Sequence, residues 1–170
     1  KIDFLKIRGG WSKVGSTGAL DEYRTRPTFG LAGSGFGNQA FLPNEQYNPD
    51  LVAESVTGTE YGLEAKLFKN RLRFSATYYD QQSKDLLLPI QVDPGVGNTS
   101  LWSNPASLSN IGYEIQLGGT IIDSEDFTFD VDLNWAKNEN TIISLGKADS
   151  YVLGGQWGVT IQARPGLPYG

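Results

Sequence analysis

The strongest constraint in this chain is a two-residue alternation on both sides of a short turn, Gly58 to Tyr79, GTEYGLEAKLFKNRLRFSATYY. Before the turn, Thr59, Tyr61, Leu63, Ala65 and Leu67 alternate with Glu60, Gly62, Glu64 and Lys66. After it, Leu72, Phe74, Ala76 and Tyr78 alternate with Arg71, Arg73, Ser75 and Thr77. Successive side chains of a β-strand point to opposite faces, so this stretch predicts two long strands, each with an apolar and a polar face. A two-residue loop at Lys69-Asn70 would pair Phe68 with Arg71, Leu67 with Leu72, Ala65 with Phe74, Leu63 with Ala76 and Tyr61 with Tyr78. Apolar then meets apolar at each step, as a sheet with one apolar face requires.

The pattern recurs along the chain. Residues 2–13 put Leu5, Ile7, Gly9 and Trp11 on one face and Lys6, Arg8, Gly10 and Ser12 on the other. Residues 111–122 and 126–137 alternate likewise around a tight acidic turn, and a three-residue turn would set Tyr113 opposite Trp135. With 58–68 and 71–79 this predicts an antiparallel all-β meander of about five long strands in one segment, 1–170. The connections 14–54, 80–109 and 138–170 read as long loops, the last with room for one hairpin outside the sheet. Within them, 86–92 could form a short strand, and Asp93-Pro94-Gly95 signals a turn.

Composition narrows the chemistry. A net charge of −5 argues against an electrostatic grip on nucleic acid. There is no cysteine and no histidine. That excludes disulfides, thiol nucleophiles, the usual zinc sites and His-based acid–base catalysis, so no cofactor or metal is expected. No apolar run reaches the length of a membrane-spanning helix. Lys1 starts almost inside a strand, so the chain reads as an excerpt.

Candidate sites are few. Gly33-Ser34-Gly35-Phe36-Gly37 has the glycines of a phosphate loop but neither follows a βα unit nor carries GK[ST], and it reads as a flexible loop. Glu60 and Glu64 share a face about 13 Å apart along a strand, too far for a retaining glycosidase pair. Asp123, Glu125 and Asp126 lack calcium-loop spacing and read as a solvated turn. The chain is therefore not expected to be an enzyme. Tyr47, Trp102, Tyr151 and Trp157, with Tyr23 and Phe36, bring aromatics to the long connections; the first four are candidates for contact with a substrate or a lid protein.

Alternation alone does not choose between a membrane barrel and a soluble β-sandwich binding or adhesion module with ligand-holding loops. The links run long, short, long, short, long, which gathers the long loops at one end, as in barrels with short periplasmic turns and long outer loops. Trp11, Tyr61, Tyr78, Tyr113 and Trp135 lie on the apolar face near that end, the arrangement of an interfacial girdle against outer-membrane lipid. The opposite face carries Glu60, Glu64, Lys66, Arg73, Glu114, Asp130 and Asp132, which suits a wet lumen. Five strands do not close a barrel, so a larger one is expected.

The stretches FLKIRGGWSKVGSTG, SVTGTEYGLEAKLFKNRLRFSATYYDQQSKDLLLPI and NIGYEIQLGGTIIDSEDFTFDVDLNWAKNENTIISL, with the closing PGLPYG, resemble the barrel of SusC/RagA-type TonB-linked outer-membrane transporters. The resemblance implies a barrel filled by an N-terminal plug, importing oligosaccharides or peptides under the drive of the TonB complex, with a SusD-like surface lipoprotein as lid. It carries no TonB-contacting segment, plug or last strand onto this chain, so the implied share is the barrel wall and its outer loops.

Overall fold

The computed structural model describes residues 1–169 apart from 18–19, 21–23, 27 and 36, so Tyr23 and Phe36 lie outside the described residues. The strands are β1 (Ile2–Ser16), β2 (Gly30–Ser34), β3 (Gly37–Phe41), β4 (Glu45–Gln46), β5 (Glu54–Leu67), β6 (Leu72–Gln91), β7 (Ser100–Asp123), β8 (Thr128–Leu145), β9 (Tyr151–Gln156) and β10 (Val159–Ala163). One open sheet runs β1-β5-β6-β7, with β8 antiparallel to β7 and the short β4 parallel to the loop-side end of β7. The remaining strands form two separate hairpins, β2–β3 and β9–β10.

The first hairpin has the register that alternation dictates: Leu67↔Leu72, Ala65↔Phe74, Leu63↔Ala76 and Tyr61↔Tyr78. Its turn is wider than a two-residue loop, because Phe68, Lys69 and Asn70 all take left-handed backbone, with φ of 56°, 60° and 65°. The Asp3 carboxylate stabilises it by accepting the backbone N–H groups of Lys69 and Asn70 at 2.5 and 3.2 Å. β1 pairs with β5 in continuous register from Phe4↔Lys66 to Ser16↔Glu54.

The second hairpin corrects the expected register. Tyr113 pairs with Lys137, and Trp135 with Ile115. The cause is an irregularity between Thr120 and Ile122 combined with a turn in which Ser124 N–H donates to Phe127 O at 3.0 Å. The shift is two residues, so the faces are preserved.

The strands also outrun the sequence expectation. β6 continues through Pro89 to Gln91 and β7 begins at Ser100, so most of 80–109 is strand and its tip is the short Pro94–Val96 turn capped by Asp93. Asp85 at φ 58° breaks the ladder, with register shifts between Ser83 and Leu88. The Asn104 amide bridges the gap by donating to Asp85 O and Val52 O at 2.6 and 2.9 Å. β8 likewise runs on to Leu145, and the glycine-rich stretch is the β2–β3 hairpin rather than a flexible loop.

The buried core sits at the loop end, not on the sheet's apolar face. Ala106, Ile142, Leu145 and Ala163 are almost inaccessible, packed by Leu86, Leu88, Leu108, Tyr151 and Leu153. The apolar face itself is bare: Ile7, Trp11, Tyr61, Leu133 and Trp135 are all exposed, and among the described residues no second sheet covers them.

Candidate functional site

The polar face forms a shallow concavity of about 660 Å³ lined by Arg8, Lys66, Arg73, Glu114, Asp132 and neighbours. Arg8 is its hub. Its guanidinium reaches Glu64 Oε1 at 3.1 Å and Glu60 Oε1 at 3.5 Å, and donates to Thr77 Oγ1 at 2.7 Å. This reach across three strands is possible because Arg8 lies over Gly62, its register partner; a Cβ at Gly62 would fall inside the arginine side chain. Lys6 adds a contact to Glu64 at 3.5 Å. The two glutamates are thus held by cations in a half-exposed wall, where each pair contributes about 0.2–1 kcal/mol and less at high salt.

Lower on the same face, Arg73 pairs with Asp132 at 3.1 Å, and Asp130 accepts from Thr120 Oγ1 at 2.6 Å. Lys66 stands 5.7 Å above the Phe4 ring. On this face Arg73 thus takes an aspartate and Lys66 a ring, while Arg8 and Lys6 take the glutamates. The missed signal was the β1–β5 register, which alternation within one hairpin does not supply. Above Glu114 the wall turns neutral: Tyr79 lies flat over Gly112 with its hydroxyl donating to Asn138 Oδ1 at 3.3 Å, next to Gln81, Asn110 and Asn140.

The apolar face places the five expected rings in one band. Tyr61, Tyr78 and Tyr113 share a row across β5, β6 and β7, with Tyr78 and Tyr113 centroids 5.0 Å apart. Trp11 lies two residues above the row, beside Thr59, and Trp135 two residues below it, beside Ile115. From Trp11 on β1 to Trp135 on β8 the ends of the band differ by four residues, about 13 Å along the strands, while the three tyrosines between them are level. Lys137 joins the outward row opposite Tyr113 and pairs with Glu139 at 2.5 Å.

The four loop aromatics have different settings. The Tyr47 hydroxyl hydrogen-bonds Thr28. Trp102 Nε1 donates to Glu45, which also pairs with Arg24. The Tyr151 hydroxyl donates to Pro89 O at 3.1 Å, and burial, with the neighbouring Tyr169, raises its pKa above the usual phenol value. Trp157, at φ 55° in the tip of the β9–β10 hairpin, is 92% exposed. Trp102 and Tyr151 tie connections to the sheet and Tyr47 ties one connection residue to another; of the four, Trp157 is the one presented outward.

Residues 2–164 match the family model described as TonB dependent receptor-like, beta-barrel. A TonB-dependent receptor of Formosa agariphila is 30% identical over 148 residues, covering 85% of this chain and 15% of that protein. The TonB-dependent receptor SusC of Bacteroides thetaiotaomicron is 28% identical over 152 residues, again 85% of this chain and 15% of that protein. The solved structure of the RagAB peptide transporter shares the fold, with a TM-score of 0.82 at 22% identity over 98% of this chain and 18% of that one. The SusC/RagA-type resemblance and the reading as part of a larger barrel are borne out, and the chain spans about 15% of the length of the curated relatives it matches.

Proposed function

The chain belongs to the TonB-dependent receptor-like β-barrel family, and from that premise we propose that it forms part of the wall of an outer-membrane transporter that imports an oligomeric nutrient. The observation that carries the reading is the sheet's two faces in one register. One is apolar, bare and crossed by an aromatic band; the other is concave and charged. Trp11, Tyr61, Tyr78, Tyr113 and Trp135 then form the outer interfacial girdle, and Glu60, Glu64, Lys66, Arg73, Glu114, Asp130 and Asp132, joined by Arg8, face the lumen.

In this reading the extended ends of β6, β7 and β8 and the β9–β10 hairpin stand above the membrane. The TonB complex drives the parent protein and a SusD-like lipoprotein covers it, with Trp157 the loop aromatic best exposed to such a partner. The cargo is an oligosaccharide or a peptide; the name of one relative of known structure, a peptide transporter, favours neither by itself. Deleting the parent gene should abolish uptake of its oligomer, and the protein should fractionate with outer membranes and need detergent to stay monomeric. Recovery of the intact parent as a folded monomer in the aqueous fraction would overturn the proposal.

A further inference from the structure

A second concavity, of about 300 Å³, lies in the loop-side layer above the charged wall. Its sides are Leu88, Leu108, Ile142 and Leu153, with Tyr151 and Tyr169. Among the described residues one charged group lines it, Glu54. The Leu87 backbone N–H donates to Glu54 Oε1 at 2.8 Å, which fixes the carboxylate; among the described residues it is the one donor placed on Glu54.

A single carboxylate on an otherwise greasy cavity selects a particular kind of ligand. The volume is at the small end of ligand pockets, enough for one or two apolar side chains. A sugar ring carries hydroxyls on all sides, and each one buried without a partner costs about 1–3 kcal/mol. Here the polar partners are few, and the Tyr151 hydroxyl is already committed to Pro89 O. An apolar residue with a free ammonium meets both features, its side chain against the leucines and its charge against the open side of Glu54.

We propose that this cavity is a subsite for the N-terminal residue of an apolar oligopeptide, with the α-ammonium held by Glu54. The proposal rests on the import reading above and narrows its cargo to peptides. Titration calorimetry on the full-length parent in detergent would use Leu-Leu-Ala-Ala, its N-acetylated form, and maltohexaose. Acetylation should weaken binding at least tenfold, and maltohexaose should not bind in the cavity. Glu54→Gln retains a carbonyl acceptor for Leu87 N–H and should bind both peptides equally weakly. Ala163→Trp, which fills the cavity, should abolish peptide binding. Equal affinity for free and acetylated peptide, an unchanged Glu54→Gln variant, or maltohexaose binding that Ala163→Trp removes would each overturn it. Cellular uptake separates the two claims. Import without Glu54 dependence rejects the subsite alone, whereas Glu54-dependent binding with no import of any oligomer rejects the transport reading alone.

Discussion

Placing arginine at Leu117 tests the assignment of faces and the depth scale together. Leu117 lies on the bare face of β7, 40% exposed, four residues below Tyr113. Four residues are about 13 Å along the strand, or about 11 Å in depth at the roughly 35° tilt of transmembrane barrel strands. In the proposed barrel wall, with an apolar band about 25 Å tall, Leu117 would sit near the midplane, where arginine costs about 2–4 kcal/mol. Ile121, eight residues from Tyr113, lies about 22 Å down, near the opposite boundary, where the cost falls to about 0–1 kcal/mol. Gln116, next to Leu117 but paired with Ser75 and so on the opposite, charged face, should accept arginine within about 0.5 kcal/mol. The measurement is urea unfolding of the full-length protein in phospholipid vesicles, followed by tryptophan fluorescence and by the gel mobility of the folded form. The expected order of cost is Leu117→Arg, then Ile121→Arg, then Gln116→Arg. Equal costs for Leu117→Arg and Gln116→Arg would refute the faces; equal costs for Leu117→Arg and Ile121→Arg would refute the depth assigned from the ring band.

Two further outcomes follow from the inner wall and the loop layer. Gly112→Val should destabilise by about 1–3 kcal/mol, because its side chain would occupy the Tyr79 ring, and Tyr79→Ala in the same chain should recover part of that loss; additivity in the double-mutant cycle would contradict the packing. The Tyr151 hydroxyl, its pKa raised above the ordinary 10.0, contributes stability fully present below that ordinary value and lost as pH climbs through the raised one. Alkaline unfolding of the loop layer should therefore differ between the parent and Tyr151→Phe, with ultraviolet titration locating the group.

Much of the wall was legible because β alternation is a local property. Leu63, Ala65, Phe74 and Ala76 reveal their shared face and mutual register through spacing and a short turn alone, with no knowledge of the rest of the chain. The loop layer was hidden for a physical reason. Pro89 and Pro105 lack a backbone N–H, the run Leu86-Leu87-Leu88 breaks alternation, and Asp85 turns left-handed, so nothing local marks β6 and β7 as continuous. The β2–β3 strands are short and rich in small residues, which leaves no periodic signal.

The amino-acid order by itself determined that this protein makes long two-faced strands, which side chains share a face, and the family its strands resemble. Only the tertiary structure decided how the faces meet one another. The pairing of β1 with β5 across a long connection gave Glu60 and Glu64 their arginine, and the irregularity at Thr120 together with the turn at Ser124 moved Trp135 off the Tyr113 row. The division has one cause. A strand's own pleat fixes where each side chain points, whereas register between distant strands depends on the turns, bulges and packing of segments far apart in the chain.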